Sequence, residues 1–257
     1  MRRRRGEWRG MGNISIVWAA IDDTDNLESI GTGRLARDMA SAVEKIGLAM
    51  CPSVTRHQLL VAPEIPYTSH NSSACLELLA DLNKLAEIIR FCVGYLRDNY
   101  HEGADPGLCV AIHNGELNNV TEFGRLAQRE IVTTERAYQI AGEQNIHLSA
   151  HGGTGLGVIG ALAAVGLRSA MNDGRFLELK GIRDIDGVLR VDEILAMTAI
   201  KRICAKSGEE LGGKQRVDTR GWVRPDLKDG LATLVVEEAP EGIWRTLKSK
   251  NKKGDEK

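Results

Sequence analysis

The chain has 257 residues, 42% hydrophobic and 27% charged, enough for one large domain or two small ones. A formal net charge of -1 supplies no global basic field of the kind that draws nucleic acid. Cys51, Cys75, Cys92, Cys109 and Cys204 form no Cys-x-x-Cys pair, so neither a zinc ribbon nor a disulfide framework is encoded. Reduced thiols in the cytoplasm are expected, and no apolar run approaches the roughly 20 residues of a membrane span.

Residues 1–12 carry Arg2, Arg3, Arg4, Arg5 and Arg9 and read as a disordered basic tail, with Met11 a possible true start. Ile14, Ile16, Val17, Trp18, Ala19, Ala20 and Ile21 then predict a buried strand. Asp22, Asp23 and Asp25 follow within four positions. Like charges so close repel, and burying them is costly without a compensating cation. A divalent ion carrying a polyphosphate meets that need. The bland alternative is an Asx turn with a helix cap, which needs one carboxylate where three are present.

Leu35, Met39, Val43 and Ile46 predict a helix stopped by Gly47. A second strand is expected over 54–61. A polar loop, 68–73, follows. Leu78, Leu82, Leu85, Ile89, Val93 and Leu96 then predict a long helix, capped by Ser72 or Ser73. Asp105, Pro106 and Gly107 signal a turn before a short strand at 108–112. A polar helix is expected over 121–141. Glycines crowd 152–157 before a run of small apolar residues, 158–166. Such a loop at a helix N-terminus presents backbone N–H groups to phosphate, although it also serves close helix-on-sheet packing. His151 beside it reads as a structural loop histidine, with phosphate contact the alternative; His57 and His113 read as strand-surface residues.

The alternation of strands and helices predicts an α/β domain over 13–172. Beyond it, short strands at 176–180, 188–191 and 231–236 and a helix at 192–206 predict a small α+β, ferredoxin-like domain over 173–245. The charged tail, 246–257, is expected to be disordered.

Four segments in this order resemble a known family. Asp22, Asp23, Thr24 and Asp25, with Thr32 ten positions after Asp22, resemble the opening of the archaeal synthetase that joins agmatine to a cytidine of isoleucine tRNA, the TiaS family. The stretch ending Ile65, Pro66, Tyr67 resembles its Ile-Pro-Trp segment. Asp105, Pro106 and Gly107 resemble its Pro-Gly turn, and 155–166 its Gly-rich helix. The resemblance covers roughly 14–183. It implies a kinase-like α/β domain that uses ATP and Mg2+ to phosphorylate a base oxygen before an amine displaces the phosphate. Carried over, Asp22, Asp23 and Asp25 become metal or phosphate-activating residues, and Thr32 a phosphate contact or phosphoacceptor. Thr24, Gly31, Gly33, His70, Ser72, Gly152, Gly153 and Gly155 complete the expected cofactor-binding set. The chain departs from the family at 68–72, where a Lys and an Arg are replaced, and at Thr154, which stands where the family has Arg. The family's oligonucleotide-binding fold and zinc ribbon are not encoded. The expected activity is therefore an ATP- and Mg2+-dependent phosphotransferase or ligase acting on a small molecule or RNA. The alternatives are a small-molecule kinase and a non-catalytic ATP-binding accessory protein that reaches RNA through a partner.

Overall fold

A computed structural model describes residues 14–26, 31–65, 71–115 and 117–247. The expectations for the basic tail, His70 and nearly all of the charged C-terminal tail lie outside these residues. The chain divides into two compact units, 1–178 and 179–257.

The first unit is built on a sheet whose central strand is β1 (Ile14–Asp22). Around it stand β2 (Met50–Gln58), β3 (Ser72–Asp81), β4 (Gly107–Ile112), β5 (His147–Ala150) and β6 (Arg175–Leu179), in the order β5-β4-β1-β3-β2-β6. The helices are α1 (Thr32–Lys45), α2 (Leu85–Asn99), α3 (Asn118–Ala127), α4 (Thr134–Glu143) and α5 (Gly157–Ser169). β1 runs antiparallel to both β3 and β4. Its unbroken apolar run has a simple cause: both faces are covered. Val17, Ala19 and Ile21 enter one core with Leu35, Met39 and Val43 of α1 and Ile88, Cys92 and Leu96 of α2. Trp18 and Ala20 enter a second core with Val120 and Phe123 of α3 and Ala161, Leu162 and Val165 of α5. The unit is thus three layers, helix–sheet–helix.

Several expected elements change. No helix starts at Ser72 or Ser73; Ser72–Asp81 is a strand paired on both sides, with β1 and β2. Its Leu76, Leu78 and Ala80 alternate into the first core, and the helical leucine spacing holds only from Leu85 onward. Asp81 caps the intervening 3-10 turn by accepting the N–H of Asn83 at 3.0 Å. The helix expected over 121–141 is two helices, the second restarted by Thr133, whose hydroxyl accepts from the Arg136 N–H. The strand expected at 54–61 lies at 50–58. His57 is fully buried rather than on a strand surface: its ring sits between the Asp173 carboxylate (2.7 Å) and the Thr55 hydroxyl (2.9 Å).

The second unit contains β7 (Val188–Arg190), α6 (Val191–Met197), β8 (Arg202–Ala205), β9 (Arg216–Asp218), β10 (Asp226–Lys228), β11 (Leu231–Ala239) and β12 (Ile243–Thr246). Its strands run in the order β10-β11-β12-β9-β7, with β8 parallel to β11. The helix expected over 192–206 ends at Met197 and gives way to β8. Among the described residues this unit has one α-helix, against the two of a ferredoxin-like β-α-β-β-α-β unit. Its core is Ile194, Ile203, Val217, Leu227, Leu234 and Val236. No helix among the described residues is long and apolar enough to cross a membrane, and all five cysteines are free thiols.

Candidate active site

β1 ends by delivering its last carboxylate against α5. Asp22 follows the strand alternation of Trp18 and Ala20, so it points to the α5 side. There it meets Gly160: a Cβ at that position would fall 1.8 Å from Asp22 Oδ2. Only a glycine lets this helix ride on the carboxylate. A second close approach sets the height of α5, because a Cβ at Gly157 would fall 2.0 Å from the Asp105 carbonyl oxygen and 2.6 Å from the Gly107 nitrogen.

The acidic turn then folds back over α1. Asp23 takes the left-handed conformation (φ 49°), which aspartate tolerates better than most residues. The backbone carbonyls of Asp23 and Thr24 accept the N–H groups of Asp105 and His101. The Thr32 hydroxyl donates to Asp25 Oδ1 at 2.7 Å and accepts from the Thr24 hydroxyl at 3.1 Å. The structure thus brings Asp22, Asp23, Thr24, Asp25 and Thr32 together at the N-terminus of α1. Gly31, with φ 82°, leads into that helix, and its first turn has neither a side-chain cap nor an acidic residue.

Electrostatics mark this corner. Burial, then the charge of Asp23, pushes the Asp22 carboxyl up to about 8. Burial, then Asp105 and Asp25, pushes Asp23 up to about 6. At neutral pH Asp22 therefore holds its proton unless a cation stands beside it. Hard oxygen donors of this kind suit Mg2+, which takes one or two carboxylates and completes its shell with phosphate and water oxygens. Among the described residues no group of three or more His, Cys, Asp or Glu side chains is already drawn together around a metal position. Asp25 is engaged by Thr32, which leaves Asp22 and Asp23 as the pair that fits.

A cleft of about 160 Å³ opens over these residues. Asp22, Asp23, Asp25 and Thr32 line one side. Leu59, Ile131, Val132, Leu156 and Ile159 line an apolar side, and Asn71, Ser72 and Glu130 also border it. The volume is below the roughly 300 Å³ of ordinary small-molecule pockets, so it suits one end of a larger ligand.

The glycine loop takes a different part from the one expected. The N–H groups of Thr154, Gly155 and Leu156 converge on the Asp105 carboxylate at 3.1, 2.6 and 3.1 Å. That anion fills the cradle expected for phosphate, and Gly152 and Gly153 pack against Pro106 and Asp105. His151 accordingly proves structural: its ring and that of His147 both hydrogen-bond the Ser149 hydroxyl, at 2.8 and 3.0 Å. Asp105 is thus more than the expected turn residue, and Gly160 joins the site from within the small-residue run, 158–166. The signal for Gly160 was present, as a helical glycine three positions after Gly157.

The fold that carries this acidic strand end is shared with tRNA enzymes of known structure. Over 59% of its length the chain has the fold of TiaS, the tRNA agmatidine synthetase, as seen in its apo crystal structure (26% identity, TM-score 0.50). It matches equally the complex of TiaS with its isoleucine tRNA and ATP (26% identity, TM-score 0.52). A tRNA fluorescent labeling enzyme is similar at 27% identity and TM-score 0.52. The matched part spans 35–36% of those chains, so this chain corresponds to about a third of each. No family model and no curated protein matches it.

Proposed function

We propose that the first unit binds ATP with Mg2+ in the cleft over Asp22 and uses it, in kinase-like fashion, to activate an acceptor in a ligase-like modification of tRNA. The observation that carries this reading is Asp22 itself. A carboxyl is built against Gly160 beside a second acid, and its surroundings favour the charged form only once a cation arrives. Asp22 and Asp23 would hold the metal, whose charge neutralises the transferring phosphoryl group when bound.

The chain's own groups divide the remaining work. The N–H groups at the start of α1, which have no side-chain cap among the described residues, and the Thr32 hydroxyl meet phosphate oxygens. Asp25, 2.7 Å from Thr32 Oγ1, accepts that hydroxyl's proton if Thr32 takes up a phosphoryl group transiently. The apolar wall of Leu59, Ile131, Val132 and Ile159 packs against a base and excludes water. RNA is the proposed acceptor because TiaS, similar over 59% of this chain, is described in complex with tRNA and ATP. We place the activity in the cytoplasm, with further RNA contacts supplied by a partner.

The test is to incubate the protein with γ-labelled ATP, Mg2+, agmatine-like amines and either total tRNA or a mixture of small metabolites. The expected result is phosphate release that depends on added tRNA. Release driven by metabolites alone would make the protein a small-molecule kinase. ATP bound without turnover in any mixture would make it a non-catalytic nucleotide-binding protein.

A further inference from the structure

The 68–72 loop has no Lys or Arg, whereas two arginines stand on neighbouring strands of the sheet. Arg56 sits two residues from the end of β2, on the same face as Val54, which packs toward α1. It is half-buried, and its Nε donates to the Ser72 hydroxyl at 2.7 Å. Ser72 lines the cleft. Among the described residues the two terminal nitrogens of Arg56 have no hydrogen bond and no ion pair, so its strongest donors are uncommitted.

Arg175 opens β6, the strand next to β2, and is close enough for the two guanidinium charges to oppose each other. Two residues on, Leu177 packs on Gly33, where a Cβ would come within 2.9 Å of its Cδ1. Residues i and i+2 share one face of a strand, so Arg175 stands over the first turn of α1. Asp25 is the carboxylate within electrostatic reach of Arg56, and it already accepts the Thr32 hydroxyl. Two like-charged guanidiniums on neighbouring strands, one of them half-buried and bonded to a cleft-lining serine, attract an anion between them.

We propose that Arg56 and Arg175 form the polyphosphate clamp of this site, gripping the phosphate chain of a nucleoside triphosphate beside Thr32 while Asp22 and Asp23 hold the metal. The identity of the ligand as a nucleotide rests on the reading above; the clamp requires only a condensed phosphate. Guanidinium is suited to this task because its planar fork makes two parallel bonds to phosphate oxygens. The clamp also lies on β2 and β6, outside every motif that carried the sequence resemblance. The arginine and lysine of the family's loop are thus replaced in function by side chains from the sheet.

The experiment uses the full chain and isothermal titration with three probes: inorganic tripolyphosphate, ATP and adenosine, the first two with Mg2+. The wild type is expected to bind tripolyphosphate. Arg56→Ala and Arg175→Ala are each expected to weaken tripolyphosphate and ATP at least about tenfold, the loss of one charge-assisted contact. Adenosine binding should stay unchanged. Arg56→Gln keeps a donor for Ser72 and removes the charge; it should lose polyphosphate as Arg56→Ala does, at an unaltered melting temperature. Wild-type-like tripolyphosphate affinity in Arg56→Gln would overturn the clamp, as would no tripolyphosphate binding by the wild type. Binding of tripolyphosphate through Arg56 without binding of ATP would keep the clamp and overturn the nucleotide reading.

Discussion

Asp22→Asn is expected to stabilise the cation-free protein at pH 8 and to abolish Mg2+-dependent nucleotide binding. The folded state holds the Asp22 proton up to about pH 8, whereas an unfolded aspartate releases it near pH 4. Between these values the folded chain binds the extra proton, so stability falls as pH rises through the window. Asp23, raised to about 6, adds to the fall over the lower part of it. Asparagine carries no proton to lose, so the variant's melting temperature should be nearly flat over the upper half of this range. At pH 8 the gain should be about 1–3 kcal/mol, at about 2–4 °C per kcal/mol for a chain of this size. Thermal melts at pH 5, 6, 7 and 8 in the presence of a chelator measure this. A variant with the same slope as the wild type would show that Asp22 ionises freely. On the proposed reading, stability is exchanged for a group that functions only when charged, a common condition of active sites.

The second large effect lies at the other end of α5. Arg168, a guanidinium side chain, is only 2% exposed. Its Nη2 donates to Glu77 Oε2 at 2.6 Å and to the Ser53 hydroxyl at 3.3 Å. Its guanidinium lies 4.5 Å from the centroid of the Trp18 ring. It therefore fastens α5 to β1, β2 and β3 at once, while Gly160 presents the same helix to Asp22. Arg168→Ala leaves Glu77 without its charge partner and opens a void over Trp18. A cost of about 3–5 kcal/mol is expected in urea unfolding. Replacing both partners, as in Arg168→Met with Glu77→Leu, should restore most of it, because no lone charge then remains. A double variant as unstable as Arg168→Ala would locate the loss in packing instead of charge.

Much of this site was legible because its signals are local. Three carboxylates at a strand end need no tertiary context to look unusual, and Thr32 stands within ten positions of them. What escaped depends on distance along the chain. Asp105 closes the glycine loop some fifty residues away, so its turn signal concealed a carboxylate that occupies the loop's own N–H groups. Arg56 looks like any surface-facing strand residue until β3 and β6 place Ser72 and Arg175 next to it. Fold errors share that cause. Cys75, Leu76, Leu78 and Leu79 have no β-branched residue among them and continue a helical leucine spacing, so pairing with β1 and β2 decided the strand where propensity could not. Likewise the antiparallel sheet has the unbroken apolar centre more usual in parallel sheets, because helices cover both faces.

On the function proposed above, the cleft over Asp22 is a metal–nucleotide site. Its most direct test is calorimetric titration of the wild-type protein with ATP, with and without Mg2+. Saturable binding that strengthens at least about tenfold when Mg2+ is present, and that disappears in Asp22→Asn, is the predicted result. No binding of ATP in either condition, or binding indifferent to both Mg2+ and Asp22, would contradict it.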